Sequence, residues 1–290
     1  MSMKYLSSIS IILVLFNPSL MCAQQHNTEP DIWLPKHRVA LVIGNSAYKA
    51  SPLRNPVNDA QDMARVLGDL GFEVIHKENV TQNDMKRAIR SFSEKIRDGG
   101  VGLFYYAGHG IQINGQNYLI PVEAPIEKEE DVEYESVDVR FVLAQMASAG
   151  NEMNILILDA CRNNPFARSL RTPQRGLAVM TAPSGTFIAY ATAPDSVASD
   201  GNTRNGLYTQ ELLKYMQMPG LNIEEVFKRV RLAVRNATQG KQIPWESTSL
   251  VRNFYFTERS TANVELSSQT VTSSNPDDNR FYLLRITKVL

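Results

Sequence analysis

Apolar residues along this chain alternate between a two-residue and a 3.6-residue period. Val39-Ala-Leu-Val-Ile-Gly44 is a short β-rich run that ends in glycine, the pattern of a buried strand. From Asn58 onward Ala60, Met63, Leu67 and Leu70 recur at helical spacing, Gly71 stops the pattern, and Phe72-Glu-Val-Ile75 follows as a second strand. Met85, Ile89, Phe92 and Ile96 form another helical stripe, closed by Gly99-Gly100 before the apolar run Val101-Gly-Leu-Phe-Tyr-Tyr106. Asn114-Gly115 between Ile111-Gln-Ile113 and Tyr118-Leu-Ile120 predicts a hairpin, because both turn residues tolerate the positive φ of a tight turn. After an acidic loop, a helix with Phe141, Val142 and Met146 leads into the strand Asn154-Ile-Leu-Ile-Leu158. Thr186-Phe-Ile-Ala-Tyr190 is a further strand, and two later helical patterns contain Leu212 to Met216 and Val226 to Val234. Alternating βα units of this kind predict an α/β fold with a mainly parallel sheet covered on both faces.

Composition narrows the function. The 290 residues are 43% hydrophobic and 21% charged, with 30 basic against 30 acidic side chains. That balance offers no electrostatic footprint for nucleic acid, and the apolar content excludes a disordered chain. The length buries a core without disulfides, and two cysteines, Cys22 and Cys161, form no scaffold. Residues 1–23 are a different polymer: Lys4, the apolar run Leu6 to Phe16, then Asn17-Pro18 and small or polar residues around Cys22-Ala23. This is the pattern of a secretory signal peptide, and its apolar run is too short for a membrane span. The expectation is an exported protein, periplasmic or secreted, with lipid attachment at Cys22 disfavoured by the bulky Met21. Residues 258–290 read as a Ser/Thr-rich linker and a short C-terminal segment.

Open parallel sheets bind ligands beyond the carboxyl ends of their strands. One apolar run leads into Ala107-Gly-His109-Gly110 and another into Asp159-Ala-Cys161-Arg162. If these strands are neighbours, an imidazole and a thiol project from one edge, and a cysteine within reach of a histidine is an activated nucleophile. Gly108 and Gly110 then let a substrate backbone approach, with the Gly110 amide free to donate to an oxyanion. Taken singly, a strand-capping His109 and a core Cys161 are the alternatives.

The segment Tyr105-Tyr-Ala-Gly-His-Gly110, followed 52 positions after the histidine by Asp159-Ala-Cys-Arg162, resembles the caspase-like cysteine peptidases, in particular their metacaspase and paracaspase branches. Ala40-Leu-Val-Ile-Gly-Asn45, Leu53-Arg-Asn-Pro-Val-Asn-Asp59 and Tyr190-Ala-Thr-Ala-Pro194 extend the likeness over roughly Lys36 to Phe256. The resemblance implies a three-layer α/β/α caspase-like fold over residues 36–257, with a large-subunit-like part at 36–165 and a small-subunit-like part at 180–257. It implies a His109–Cys161 dyad with an oxyanion hole from the amides of Gly110 and Cys161. Asp59 and Asp159 fall where metacaspases and paracaspases carry carboxylates of the S1 pocket, and Asp200 lies near a position where caspases carry an arginine. Cleavage after Arg, with Lys second, is the expectation, since an acidic pocket repels acidic substrates. For Asp59 a helix-start carboxylate is the alternative, for Asp200 a turn residue, and Arg54 is close enough in sequence to pair with Asp59. The basic loop 162–176 offers self-cleavage after Arg175 or Arg168, where caspase relatives are often processed.

No cofactor is required by this chemistry. Some metacaspases need calcium, but Glu123 to Glu135 lacks the spacing of a calcium loop and reads as solvated. His26, His37 and His76 have no partners at metal-ligand spacing, and Gly44-Asn-Ser46 lacks the further glycines or lysine of a phosphate loop. The partners expected are peptides or proteins with basic P1 residues. A non-catalytic interaction module and a small-substrate cysteine hydrolase are the competing readings.

Overall fold

A computed structural model describes residues 35, 37–97, 99–161, 176–193 and 203–258, with Cys161 described through its backbone. The leader with Cys22, the self-cleavage candidates Arg168 and Arg175, Asp200 and everything after Glu258 lie outside these residues.

The elements run β1 (Arg38–Gly44), α1 (Pro56–Asp69), β2 (Glu73–Glu78), α2 (Gln82–Lys95), β3 (Val101–Ile113), β4 (Gln116–Leu119), α3 (Glu129–Glu135), β5 (Val137–Asp138), α4 (Val139–Ser148), β6 (Met153–Cys161), β7 (Thr186–Tyr190), α5 (Leu207–Met216), α6 (Ile223–Ala237) and β8 (Trp245–Thr248). The main sheet has the order β2-β1-β3-β6-β7-β8. Its pairings are parallel from β2 to β7, and β8 closes the edge antiparallel to β7. Met63 and Leu67 of α1, Leu212 of α5 and Val226 and Val230 of α6 pack against one face. Ile89 and Phe92 of α2 with Val142 and Met146 of α4 cover the other. The result is a three-layer α/β/α fold with a mainly parallel central sheet.

Local chemistry explains the element boundaries. Pro56 opens α1, where a missing N–H costs nothing, and Gly71 takes up a φ of 81° just after that helix. Thr81 caps α2 by accepting from the Asp84 amide, and Asn222 and Glu225 form a reciprocal capping box on α6. Asn114 and Gly115 both have positive φ, 51° and 77°, and set the β3–β4 hairpin in register.

The structure departs from the sequence pattern in three places. Glu129–Glu135, expected as part of a solvated loop, forms α3, because Glu129, Glu130 and Asp131 meet the positive end of the helix and Val132 is buried. The Asp131 carboxylate also accepts from the amides of Glu127 and Lys128, which fixes the chain entering that helix. β5 and β8 were not anticipated, since one has two residues and the other, Trp-Glu-Ser-Thr, carries no apolar alternation; both exist through pairing with β4 and β7. The segment Ala107 to Gly110 does not leave its strand: β3 continues through it, paired first with β6 and then with β4. No helix among the described residues is long and apolar enough to cross a membrane.

Close packing of α1 on β1 depends on Gly44, where a Cβ would lie 2.3 Å from the Pro56 carbonyl oxygen and 2.6 Å from Ala60 Cβ. Gly44→Ala is therefore expected to lower stability by about 1–3 kcal/mol, the usual cost of forcing one methyl into a packed core. Urea unfolding of the two proteins checks it, and an unchanged midpoint contradicts the packing described.

Candidate active site

The β3–β6 ladder brings the two reactive positions together. The strands pair in parallel from Val101 opposite Met153 to His109 opposite Cys161, so the histidine and cysteine backbones are neighbours at the carboxyl edge of the sheet. His109 is 2% exposed, and its Nε2 lies 2.7 Å from the Ser51 carbonyl oxygen. A carbonyl only accepts, so Nε2 carries the proton and Nδ1 holds the lone pair of the neutral ring. Ser51 has a φ of 58°, a costly conformation for serine, in the loop that presents this carbonyl.

Tyr48, in the same loop, holds the histidine from a second side. Its ring centroid is 4.4 Å from that of His109 at a tilt of 56°, and its hydroxyl accepts from the His109 amide at 2.9 Å. The Tyr106 hydroxyl lies 3.2 Å from that of Tyr48 and 2.8 Å from the His109 carbonyl oxygen. Burial, and then the neighbouring Tyr48, raise the Tyr106 phenol well above its ordinary value, so it stays protonated as a donor.

At Gly108 a Cβ would fall 2.6 Å from both phenolic oxygens, and at Gly110 it would fall 2.8 Å from Ala160 Cβ, so internal packing by itself calls for glycine at both positions. The Gly110 amide has a defined direction. The Ile120 amide donates to the His109 carbonyl, so the backbone groups of His109 face the β4 side and those of Gly110, the next residue along the strand, face the opposite side. The Gly110 N–H is thereby turned away from β4, toward the β6 side of the strand.

Asp59 and Asp159 meet beneath this edge, on the face covered by α1 and α5. Asp59 is 3% exposed and accepts from the Gly206 amide at 2.9 Å, at the start of α5. Asp59 thus serves the N-terminus of another helix as well as lying in the first turn of its own. Asp159 is 9% exposed and accepts from the Thr209 hydroxyl at 2.6 Å. Thr209 has one proton to give, so the Tyr105 hydroxyl, 2.6 Å away, donates to Thr209. A Cβ at Gly206 would sit 3.2 Å from Asp59 Oδ2 and 3.8 Å from Asp159 Oδ2, so both carboxylates border one small volume. Burial first, then the charges of Asp159 and Asp59, raise the Tyr105 phenol well above its ordinary value. Tyr208 is raised by burial and Asp159. Arg54 is exposed and forms no ion pair with Asp59 among the described residues.

The segment before Gly206 is clamped onto α1. Asp62 accepts from Arg204 Nε and Asn205 Nδ2, both at 3.0 Å, and Asn58 Nδ2 donates to the Arg204 carbonyl at 3.0 Å. Tyr48, Ser51, Gly206 and Thr209 carry no recognisable motif, and only the glycine ahead of an apolar helical stripe hinted at a boundary. Among the described residues no group of three His, Cys, Asp or Glu side chains is arranged to hold a metal ion.

The clamp has a pH signature. Partial burial acts to raise the Asp62 carboxyl, but hydrogen bonds from Asn205 and Arg204 and the charges of Arg204 and Arg65 outweigh it and hold it below the ordinary carboxylate range. A depressed carboxylate contributes stability that is present above its unfolded value and lost as pH falls through its folded one. Asp62→Asn should therefore cost about 1 kcal/mol at neutral pH and progressively less as the pH drops below about 4. Urea unfolding of both proteins at several pH values checks this, and a difference that stays constant down to the acid limit contradicts it.

Mucosa-associated lymphoid tissue lymphoma translocation protein 1 of Homo sapiens is 33% identical over 130 residues, 44% of this chain and 15% of that protein. Caspase-1 of Sus scrofa is 25% identical over 243 residues, 75% of this chain and 59% of that one. Caspase-13 of Bos taurus is 24% identical over 242 residues, 75% and 63% of the respective chains. The chain thus spans less than two thirds of the length of each of these relatives. A family model described as the caspase domain matches residues 37–255. Since that match begins just before β1 and runs past every strand of the sheet, the chain belongs to the caspase-domain family.

Proposed function

We propose that this protein is an exported cysteine endopeptidase that cleaves after arginine, with lysine second, by acyl transfer through Cys161. The Cys161 thiol passes its proton to Nδ1 of His109, the resulting thiolate attacks the scissile carbonyl carbon, and the oxyanion is met by the amides of Gly110 and Cys161. His109 donates the proton that the leaving amine needs, through the nitrogen that does not face Ser51, and then draws a proton from the water that releases the acyl group. Nothing in this cycle needs a metal or a cofactor. The observation that carries the choice of substrate is the pair of buried carboxylates converging at Gly206. A substrate guanidinium that reaches both carboxylates gains charge-assisted hydrogen bonds at both ends. Export rests on the apolar leader, and self-processing after Arg175 or Arg168 follows from the same specificity turned on the chain itself. Asp200 belongs to the same proposal as a further acidic contact.

The dyad is tested by substitution. Cys161→Ala should abolish hydrolysis of an arginyl-coumarin amide, and His109→Ala should reduce kcat/KM by about 10²–10⁴-fold, the usual worth of general acid–base catalysis. Both variants should keep the wild-type circular dichroism spectrum. Full activity in the Cys161→Ala protein would remove the nucleophile assignment.

Specificity is tested by the residue at P1. Arginine should be preferred to aspartate, and Asp159→Asn should weaken arginine recognition by roughly 2–5 kcal/mol in kcat/KM without creating a preference for neutral residues. A wild-type preference for aspartate, or an unchanged arginine preference in Asp159→Asn, contradicts the proposed pocket.

A further inference from the structure

We infer that the cleft walled by residues 48–50 and 120–127 is a binding subsite for the leaving half of the substrate, taking an aliphatic side chain at the second position after the scissile bond. The inference rests on His109 acting as the acid that protonates the leaving amine.

Strand order gives the direction. Along the carboxyl edge the sequence of positions is Cys161 on β6, His109 on β3, then the loop that follows β1. A peptide held by its carbonyl at Cys161, with its leaving nitrogen at His109, continues onto that loop. Tyr48 is the first residue it meets there: one part of the side chain rests on the His109 ring, and the residue also lines a cavity of about 140 Å³. Ile120, whose amide donates to the His109 carbonyl, lines the same cavity. The cleft is therefore one side chain beyond the imidazole. An extended chain advances about 3.3 Å per residue, and with the two ring centroids 4.4 Å apart, the cleft beyond Tyr48 falls to the second residue of the leaving peptide.

Its lining selects the occupant. Ile120, Val122 and Ile126 are buried and form an apolar floor, while the exposed Lys49, Glu123 and Glu127 stand at the rim with both signs of charge. An apolar cavity of about 150 Å³ accepts a benzene-sized group, so one aliphatic side chain fits. The floor is rigid, because the Ile120 carbonyl accepts from Asn45 Nδ2 at 3.2 Å and from the Tyr48 hydroxyl at 3.0 Å. Burying an aliphatic group there gains the hydrophobic term without disturbing the histidine.

The experiment compares internally quenched peptides that are identical except for Leu or Gly at the second leaving-side position, alongside a coumarin amide that ends at P1 arginine. Wild-type kcat/KM should favour Leu over Gly by at least about 10-fold, the low end of what an apolar pocket discriminates. Ala124→Trp, which fills the cleft, should bring that ratio close to one, each rate being divided by the same preparation's coumarin-amide rate. Should Ala124→Trp not fold, Ile126→Ala supplies the second measurement, since a deeper floor should shift the preference from Leu toward Phe. Equal rates for Leu and Gly in the wild type, or a ratio that both cleft variants leave unchanged, overturn the subsite while coumarin turnover leaves the peptidase reading standing. Absence of turnover with every substrate overturns both.

Discussion

β3 and β6 pair in parallel over nine consecutive residues, and the other features of the site depend on that register. Both strands lie between helical layers, with Leu103, Tyr105, Ile155 and Ile157 on one face and Phe104, Tyr106, Leu156 and Leu158 on the other, all fully buried. A slip of one residue would exchange those faces and place every large side chain against the wrong layer. The alignment of His109 with Cys161 at the end of the ladder is thus enforced by hydrophobic packing along its whole length, so the juxtaposition costs little local stability. The same register brings Asp159 opposite Ala107, where the small side chain leaves room beneath the edge.

Electrostatics shapes what lies beneath. The chain has no formal net charge, yet two carboxylates are buried together on the α1 and α5 face. Asp59 is met by the amide that begins α5, and Asp159 by a hydroxyl chain from Tyr105 through Thr209. Burial first, and then the neighbouring carboxylates, raise the phenols of Tyr105 and Tyr208 above their ordinary value. Arg204 is held on Asp62 and Gln61, which ties the segment leading to Gly206 onto α1.

β3 changes partners at the histidine, from β6 on one side to β4 on the other, and that change explains the glycines around it. Gly108 passes under the hydroxyls of Tyr48 and Tyr106, and Gly110 passes Ala160 and Leu177. The loop after β1 then completes the histidine's environment with a carbonyl from Ser51 and a ring and hydroxyl from Tyr48. A single loop, distant in sequence, thus holds the imidazole from two sides, and its Ser51 carbonyl sets the tautomer.

The order of strands and helices was readable from apolar spacing alone, because a buried parallel strand and an amphipathic helix leave periods that do not depend on their neighbours. The hairpin at Asn114-Gly115 and the two strands bearing His109 and Cys161 were readable for the same reason. Tertiary structure decided the rest. β8 exists because β7 offers it an edge, and α3 forms where a local pattern of acids suggested only solvent, since the helix dipole and the buried Val132 outweigh their mutual repulsion. Tyr48, Ser51, Gly206 and Thr209 gain their places through contacts across 50 to 147 residues of chain. No periodicity records such contacts, because a spacing along the chain encodes which face a residue occupies and never which distant segment will be folded against it.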